Sequence, residues 1–259
     1  MPFMNYSQQL LVAESAARKA GALLRARFHE VHTVDEELAH DIKLRLDKET
    51  QELIESELSA AYPDYAVLGE ERADSHIQNG TPLWVIDPID GTVNYFYGIP
   101  IFCVSIALCV QGQTVLGCVY DPMQNECFTV VQGGEPCLNG IPIKVSSRSR
   151  MAEAVVFIGH GSHDGSGAAG IARFAHVSAQ VRKIRILGSA ALTLCYIAAG
   201  RFDAYIENRI NLWDFAAARL ILESSGGCME FTPTAADALS GSVIAWNGKL
   251  PIHDALQLS

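Results

Sequence analysis

Two aspartates stand with two residues between them in the stretch Trp84-Val85-Ile86-Asp87-Pro88-Ile89-Asp90-Gly91-Thr92. They follow Leu83 to Ile86, a compact apolar run that reads as a buried strand, which Asp87-Pro88 is expected to stop. Gly91-Thr92 then reads as the opening of a helix, which would place free backbone amides beside the acids. Two carboxylates that close together repel unless a cation lies between them, and hard divalent cations take such oxygen ligands. Two further acidic elements have a similar setting. Glu70-Glu71 follows a short strand-like run and a glycine, and Asp214 follows Trp213 at the start of an apolar helical stretch. Taken singly, Asp214 reads as a helix N-cap and Glu70-Glu71 as a solvated turn. Taken with Asp87 and Asp90, they supply four negative charges, enough to neutralise two magnesium ions. A pair of such ions clamping a phosphate is one solution to phosphoester hydrolysis.

The elements that must position these acids follow from apolar spacing. Leu10, Ala13, Ala17, Ala20 and Leu24 predict an amphipathic helix from Tyr6 to about Phe28. Leu53, Ile54 and Leu58 predict a second, from Asp47 to Ala61, ended by Tyr62-Pro63-Asp64. Tyr65 to Leu68 reads as a short strand leading to Glu70. Val104 to Val110, Val115 to Tyr120 and Cys127 to Val131 read as an antiparallel meander, with turn signals at Gly112, Asp121-Pro122, Gly133-Gly134 and Asn139-Gly140. The second half alternates. Strands are expected at Ala154 to Ile158, Ile184 to Leu187, Ala204 to Ile206 and Val243 to Ala245, and helices at Gly165 to Ser178, Ser189 to Ala199 and Asp214 to Ser225. Mixed sheets layered with helices are the expected architecture. The halves are taken as 1–148, which carries most of the acids, and 149–259, which completes the site.

Composition narrows the partners. The 259 residues are about half apolar and carry a formal charge of −10, which opposes binding to nucleic-acid backbone or anionic lipid. The most apolar run, Ile101 to Val110, is far shorter than a membrane-spanning helix. The N-terminus lacks a basic region followed by an apolar core, so no export signal is expected. Seven cysteines, an odd number without a CxxC pair, read as reduced and mostly buried thiols of a cytoplasmic protein. His160-Gly161-Ser162-His163-Asp164 lies in the glycine-rich Gly159 to Gly170 region without the spacing of zinc motifs, and reads as a solvated loop. Gly188-Ser189-Ala190 lacks a nucleophile-elbow pattern.

Gly69-Glu70-Glu71, then Trp84 to Thr92, then Trp213-Asp214 before an apolar helix resemble the inositol monophosphatase family. The likeness covers nearly the whole chain and includes Gly188 to Leu192 and Ala198 to Ala204. It implies an α/β fold (α+β by some schemes), a layered α-β-α-β-α sandwich of the inositol monophosphatase and fructose-1,6-bisphosphatase type. It further implies a homodimer, magnesium as cofactor and inhibition by lithium. By the same resemblance one metal would lie on Glu70, Asp87 and the carbonyl of Ile89, and a second on Asp87, Asp90 and Asp214. Asp47 and the Thr92 hydroxyl would orient the attacking water, and Glu70 would help to activate it. The Gly91 and Thr92 amides would hold phosphate oxygens, while Asp90, Ala190 and Glu207 would border the rest of the substrate. Asn208-Arg209 departs from the family pattern, in which a small residue often follows the glutamate; Arg209 could reach a second anionic group or face water. Lys43-Leu44-Arg45-Leu46 likewise replaces a segment that is often small or hydroxylated.

The expected activity is hydrolysis of a small phosphate monoester by water activated on two or three metals, with inositol monophosphate first among substrates. Fructose 1,6-bisphosphate, 3′(2′)-phosphoadenosine nucleotides and histidinol phosphate are the alternatives. Val93-Asn94-Tyr95-Phe96 looks more like the inositol branch than the nucleotidase branch. An aspartyl-phosphate mechanism of the haloacid dehalogenase type needs Asp-x-Asp, and the spacing of Asp87 and Asp90 is wrong for it. A regulatory protein acting on RNA or transcription complexes with the same fold is the rival of another class, against which the complete set of acids argues.

Overall fold

In the computed structural model, residues 6–30, 33–37, 42–71, 80–159, 174–234 and 237–256 are described. The first helix, Ser7–Arg27, buries Ala13, Ala16, Ala17, Ala20 and Leu24 along one stripe. These small side chains let it lie close to the second helix, Arg45–Ala61, which turns Leu46, Ile54 and Leu58 inward. Both helices cover one face of a seven-stranded sheet and share its core cluster with Trp84, Ile86, Ile106 and Leu116.

That sheet comprises β3 (Ala66–Gly69), β4 (Leu83–Asp90), β5 (Cys103–Val110), β6 (Gln113–Asp121), β7 (Glu126–Val131), β8 (Cys137–Leu138) and β9 (Ile141–Pro142), in chain order. β3 and β4 are parallel, and every later pair is antiparallel, as the meander pattern predicts. Gln111 and Gly112 both adopt positive φ (52° and 75°), as do Asn139 and Gly140 (50° and 76°), the geometry of tight hairpin turns that match the strand twist. β1 (Val34–Glu37) and β2 (Ile42–Leu44) form a separate antiparallel ribbon ahead of the second helix.

One expectation is corrected here. β4 does not stop at Asp87-Pro88 but runs to Asp90, and its pairing with β5 slips between Asp87↔Ser105 and Asp90↔Cys103. Proline has no N–H for the ladder, so the strand accommodates it in a bulge rather than ending.

The second sheet is ordered β11-β10-β12-β14-β13, from β10 (Val155–Ile158), β11 (Lys183–Arg185), β12 (Ala204–Asn211), β13 (Cys228–Thr234) and β14 (Asp237–Trp246). β10 runs parallel to β11 and β12, and the remaining pairs are antiparallel. β12 and β14 are longer than expected, while β13 and the short Ile252–Leu256 helix were not anticipated. Of the helix expected at Gly165 to Ser178, residues 174–178 are helical and the remainder lies outside the described residues, together with the His160 to Asp164 cluster.

The Ala190–Ala198 and Leu212–Ser224 helices lie between the two sheets and are apolar on nearly every side. Leu192, Ile197, Phe215 and Ile221 share one core with Val85 and Val119 of the first sheet and Phe157 and Val243 of the second. Beyond the second sheet, Val177, Leu250 and Ile252 cover Val156, Ile158 and Ile206. The layers thus alternate α-β-α-β-α. All seven cysteines are free, and Cys103, Cys118, Cys127 and Cys195 are buried. Among the described residues no helix is long and apolar enough to cross a membrane.

The segment between the sheets is fastened by a buried polar hub. Asp203, fully buried, accepts hydrogen bonds from Ser146 Oγ (2.6 Å), Arg148 Nε (2.6 Å) and the Val155 amide (2.8 Å). Asn247 Nδ2 donates to Ser146 Oγ and to the Arg148 carbonyl, at 2.9 and 2.8 Å. Removing the central acceptor would orphan several donors at once. Asp203→Ala is expected to cost about 3–5 kcal/mol, the scale for one partner of a buried ion pair. The check is the midpoint of urea denaturation, read with the slope unchanged.

Candidate metal centre and substrate cavity

Strand ends and helix starts bring the acids together. β3 and β4 are parallel neighbours, so Glu70, just beyond β3, and Asp87 to Asp90, at the end of β4, emerge on the same edge. Two helices point their first turns at that edge. Asp214 is the third residue of its helix, and its Oδ2 accepts the amide of Asn211, the actual N-cap, at 2.8 Å. The N-cap reading of Asp214 is therefore displaced by Asn211, whose position three residues earlier is the backward half of a capping box. Asp47 holds the same place in the second helix, with the Leu44 amide donating to its Oδ2 at 2.6 Å. In both acids the cap occupies one carboxylate oxygen and fixes the direction of the other.

Glu70, Asp87 and Asp214 each place a carboxylate oxygen within 4.8 Å of the others. Asp87 is 1% exposed, and burial, followed by the charges of Glu70, Asp90, Asp214 and Asp47, pushes its carboxyl well above the usual range. An all-oxygen set of mutually repelling carboxylates, Asp87 buried and Glu70 and Asp214 half-buried, fits a hard divalent cation, which would remove the repulsion. Ile89 supplies two backbone contacts to the same corner. Its amide donates to Asp87 Oδ1 at 3.0 Å, and its carbonyl accepts from Thr92 Oγ1 at 2.9 Å. Thr92 Oγ1 also lies 3.4 Å from Asp47 Oδ1, linking the strand end to the second helix.

Asp90 is held differently and is not one of the three converging acids. Ser189 Oγ (2.5 Å), the Ala191 amide (2.8 Å) and Cys103 Sγ (3.4 Å) donate to its Oδ2, and the Ala190 amide donates to Oδ1 at 3.0 Å. The carboxylate thus rests on the N-terminus of the Ala190–Ala198 helix, where the free amides and the helix dipole favour negative charge. Burial raises its pKa, and these hydrogen bonds oppose that rise. Gly91 adopts φ +105°, and a Cβ there would stand 2.9 Å from the Ile101 carbonyl, so only glycine lets the chain turn into the Thr92–Phe96 helix.

A cavity of about 420 Å³ runs from these acids to the second sheet. Ile89, Gly91, Thr92 and Ala190 line it, while Asp47, which lies 3.4 Å from Thr92 Oγ1, is outside the lining. At the far end, Glu207 is almost fully buried. Tyr205 OH donates to its Oε2 at 3.3 Å, and the Asn208 and Arg209 amides donate to Oε1 at 2.7 and 3.4 Å. Gly159 makes room for this carboxylate, since a Cβ at 159 would overlap Glu207 Oε2. Sequence reasoning did not single out Ser189 as the anchor of Asp90, nor Tyr205 and Gly159 as the cradle of Glu207. A hydroxyl directly before an apolar helix was the available signal for Ser189; the cradle joins separate strands and leaves no local signal.

Comparison with known proteins agrees with this geometry. A family profile described as the inositol monophosphatase family matches residues 5–256. The chain is 38% identical to an inositol-1-monophosphatase of Mesorhizobium japonicum, over 94% of this chain and 93% of that protein. It is 37% identical to a fructose-1,6-bisphosphatase/inositol-1-monophosphatase of Thermotoga maritima, over 92% and 90%. Among solved structures, the extragenic suppressor protein suhB of Bartonella henselae superposes with a TM-score of 0.87 at 33% identity, covering 98% of this chain and 99% of that one.

The repulsion at Asp87 has a thermodynamic consequence. Its folded-state pKa lies above its unfolded value, so between the two the folded chain holds more protons, and metal-free stability falls as pH rises through that window. Asp87→Asn removes the charge, and its amide oxygen can still accept the Ile89 N–H. In chelator, the variant is expected to be more stable than the parent by about 1–3 kcal/mol at neutral pH. The gain should shrink towards the ordinary carboxylate pKa, as urea denaturation at several pH values would measure.

Proposed function

The chain belongs to the inositol monophosphatase family, and from that premise we propose that it is a magnesium-dependent phosphatase of small phosphate monoesters, with inositol monophosphate first among its substrates. One observation carries the reading: Glu70, Asp87 and Asp214 converge in a buried corner that opens into a cavity large enough for a small polyol phosphate.

In this reading Glu70, Asp87 and the Ile89 carbonyl would hold one magnesium ion, and Asp87, Asp90 and Asp214 would hold a second. Bound magnesium would supply positive charge to the phosphoryl oxygens and the leaving group and make water a stronger nucleophile. The chain's own groups do the rest. Thr92 Oγ1, donating towards Asp47, offers its lone pairs to the attacking water and orients it. Glu70 would take the proton that this water loses as its oxygen bonds to phosphorus, and the alkoxide released as the ester P–O bond breaks would take up a proton from solvent to leave as the alcohol. The Gly91 and Thr92 amides receive phosphate oxygens. Glu207 and Ala190 border the alcohol portion, and Glu207 accepts hydrogen bonds from its hydroxyls. The family reading also carries lithium inhibition, a homodimer and a cytoplasmic setting. The Bartonella relative is described as an extragenic suppressor protein, but a purely regulatory role would not require a complete set of converging acids.

Chelation should abolish phosphate release from inositol 1-phosphate and magnesium should restore it; full turnover in excess chelator would refute the metal-based reading. Asp87→Asn, though folded, should lose on the order of 1,000-fold in kcat.

Glu207→Gln should lower kcat/KM for inositol 1-phosphate by about 1–3 kcal/mol, the scale of a charged hydrogen bond. An aryl phosphate, with no hydroxyls to read, should be nearly unaffected. Equal loss on both would assign Glu207 to the fold or the metal corner instead.

A further inference from the structure

We infer that Gln51 is a positioning residue of the metal centre, one that sets where Glu70 stands relative to Asp87. The inference rests on the metal-based reading given above and deepens it. Gln51 belongs to the second helix, one turn after Asp47, so the two side chains leave the same face. It is 1% exposed, a depth at which its carboxamide needs partners for both ends.

Those partners lie on two different elements. Gln51 Oε1 accepts the backbone amide of Glu71 at 3.0 Å. Gln51 Nε2 donates to Glu55 Oε1 at 2.8 Å, one further turn along the helix. Between these contacts the carboxamide covers Gly69. A Cβ on that glycine would overlap Gln51 Cδ, Oε1 and Nε2 alike. Gly69 does not adopt positive φ, so close approach of Gln51, rather than a turn, calls for glycine before Glu70.

The acid is thereby flanked. β3 ends at Gly69, and the Glu70 amide donates to the Ile86 carbonyl of β4 at 3.3 Å. The next amide, that of Glu71, is tied to the helix that carries Asp47. Glu70 therefore sits between a bond to the strand of Asp87 and a bond to the helix of Asp47. Repulsion from Asp87 favours moving Glu70 outward, and the Gln51 contact opposes that movement. A glutamate at 51 could accept the same N–H, but it would bring a further negative charge to this corner. Glutamine accepts it as a neutral group and spends its other end on the helix. The two ends thus have separate duties: Oε1 serves the site and Nε2 serves the fold.

The test measures Mn2+ binding to the full chain by electron paramagnetic resonance, together with urea denaturation in chelator. Manganese is the probe because it accepts the same carboxylate ligands. Q51M keeps most of the volume but neither polar end, and should weaken Mn2+ binding by about 3–10-fold, the scale of one neutral hydrogen bond. G69A, which would displace the carboxamide without removing it, should weaken binding to a similar degree. Q51E keeps the acceptor for Glu71 and sets a like charge against Glu55. It should recover Mn2+ binding to at least the parent's level while staying less stable than the parent in urea. Unchanged Mn2+ binding in Q51M or in G69A would overturn the role given to Gln51. So would binding that follows stability through all three variants, which would assign Gln51 to the fold alone. No Mn2+ binding by the parent would instead overturn the metal-based reading itself, and this inference with it.

Discussion

Like charge concentrated where water is largely excluded is the constraint around which this molecule is built. Asp87 and Asp90 are 1% and 7% exposed, and Glu70, Asp214 and Asp47 bear on the same corner. Left to themselves, such groups would protonate or push the structure apart. The fold answers with main-chain donors. The amides of Leu44, Ile89, Ala190, Ala191 and Asn211 each hold an oxygen of one of these acids. Backbone groups at strand ends and helix starts have few conformations open to them. The acids are therefore placed by secondary structure rather than by side-chain rotamers, and the corner is organised before any ligand arrives.

This placement requires the layers to hold their spacing. The first sheet supplies Asp87 and Asp90, the helix between the sheets supplies Asp214, and the second sheet supplies Glu207. A shared core that includes Val85, Val119, Phe215, Ile221, Phe157 and Val243 connects them. A close-packed interior transmits small displacements. A void in this core far from the acids would therefore be felt as a change in the distance between the metal corner and Glu207, with no site residue altered.

Much of the metal corner was legible because its signals are local. Asp87-Pro88-Ile89-Asp90-Gly91-Thr92 states its geometry within six residues: acids after an apolar run, then a glycine that can take φ +105°. What the sequence reading misjudged depends on partners elsewhere in the chain. Pro88 looked like the end of a strand because proline lacks a donor; whether the strand ends or bulges is decided by β5, which pairs on past it to Cys103. Asp214 was read with the converging acids, but its helix was expected to open at Asp214 itself, whereas it starts at Leu212 with Asn211 as the N-cap. β13 was missed because Thr232, Pro233 and Thr234 are exposed and lack an apolar alternation; it forms because β14 offers it an edge. The setting of Glu207 was the least legible, since it needs Gly159 on the neighbouring parallel strand and a register slip against β14.

The two ends of the cavity are thereby under different kinds of control. At the metal corner, four of the five acids are held by backbone donors on four separate elements, and altering any of the five disturbs a shared balance of repulsion. At the other end, one bulge sets Glu207 and Arg209 together, and its effects stay on a single strand. A change of residue at 208 or 209 can therefore alter which alcohol is accepted without touching the acids that would hold metal. The buried like charges and two of the register slips, at Asp87/Asp90 and Glu207/Ile210, fall at the site, as expected when local rules are broken for function and supported by regular structure around them.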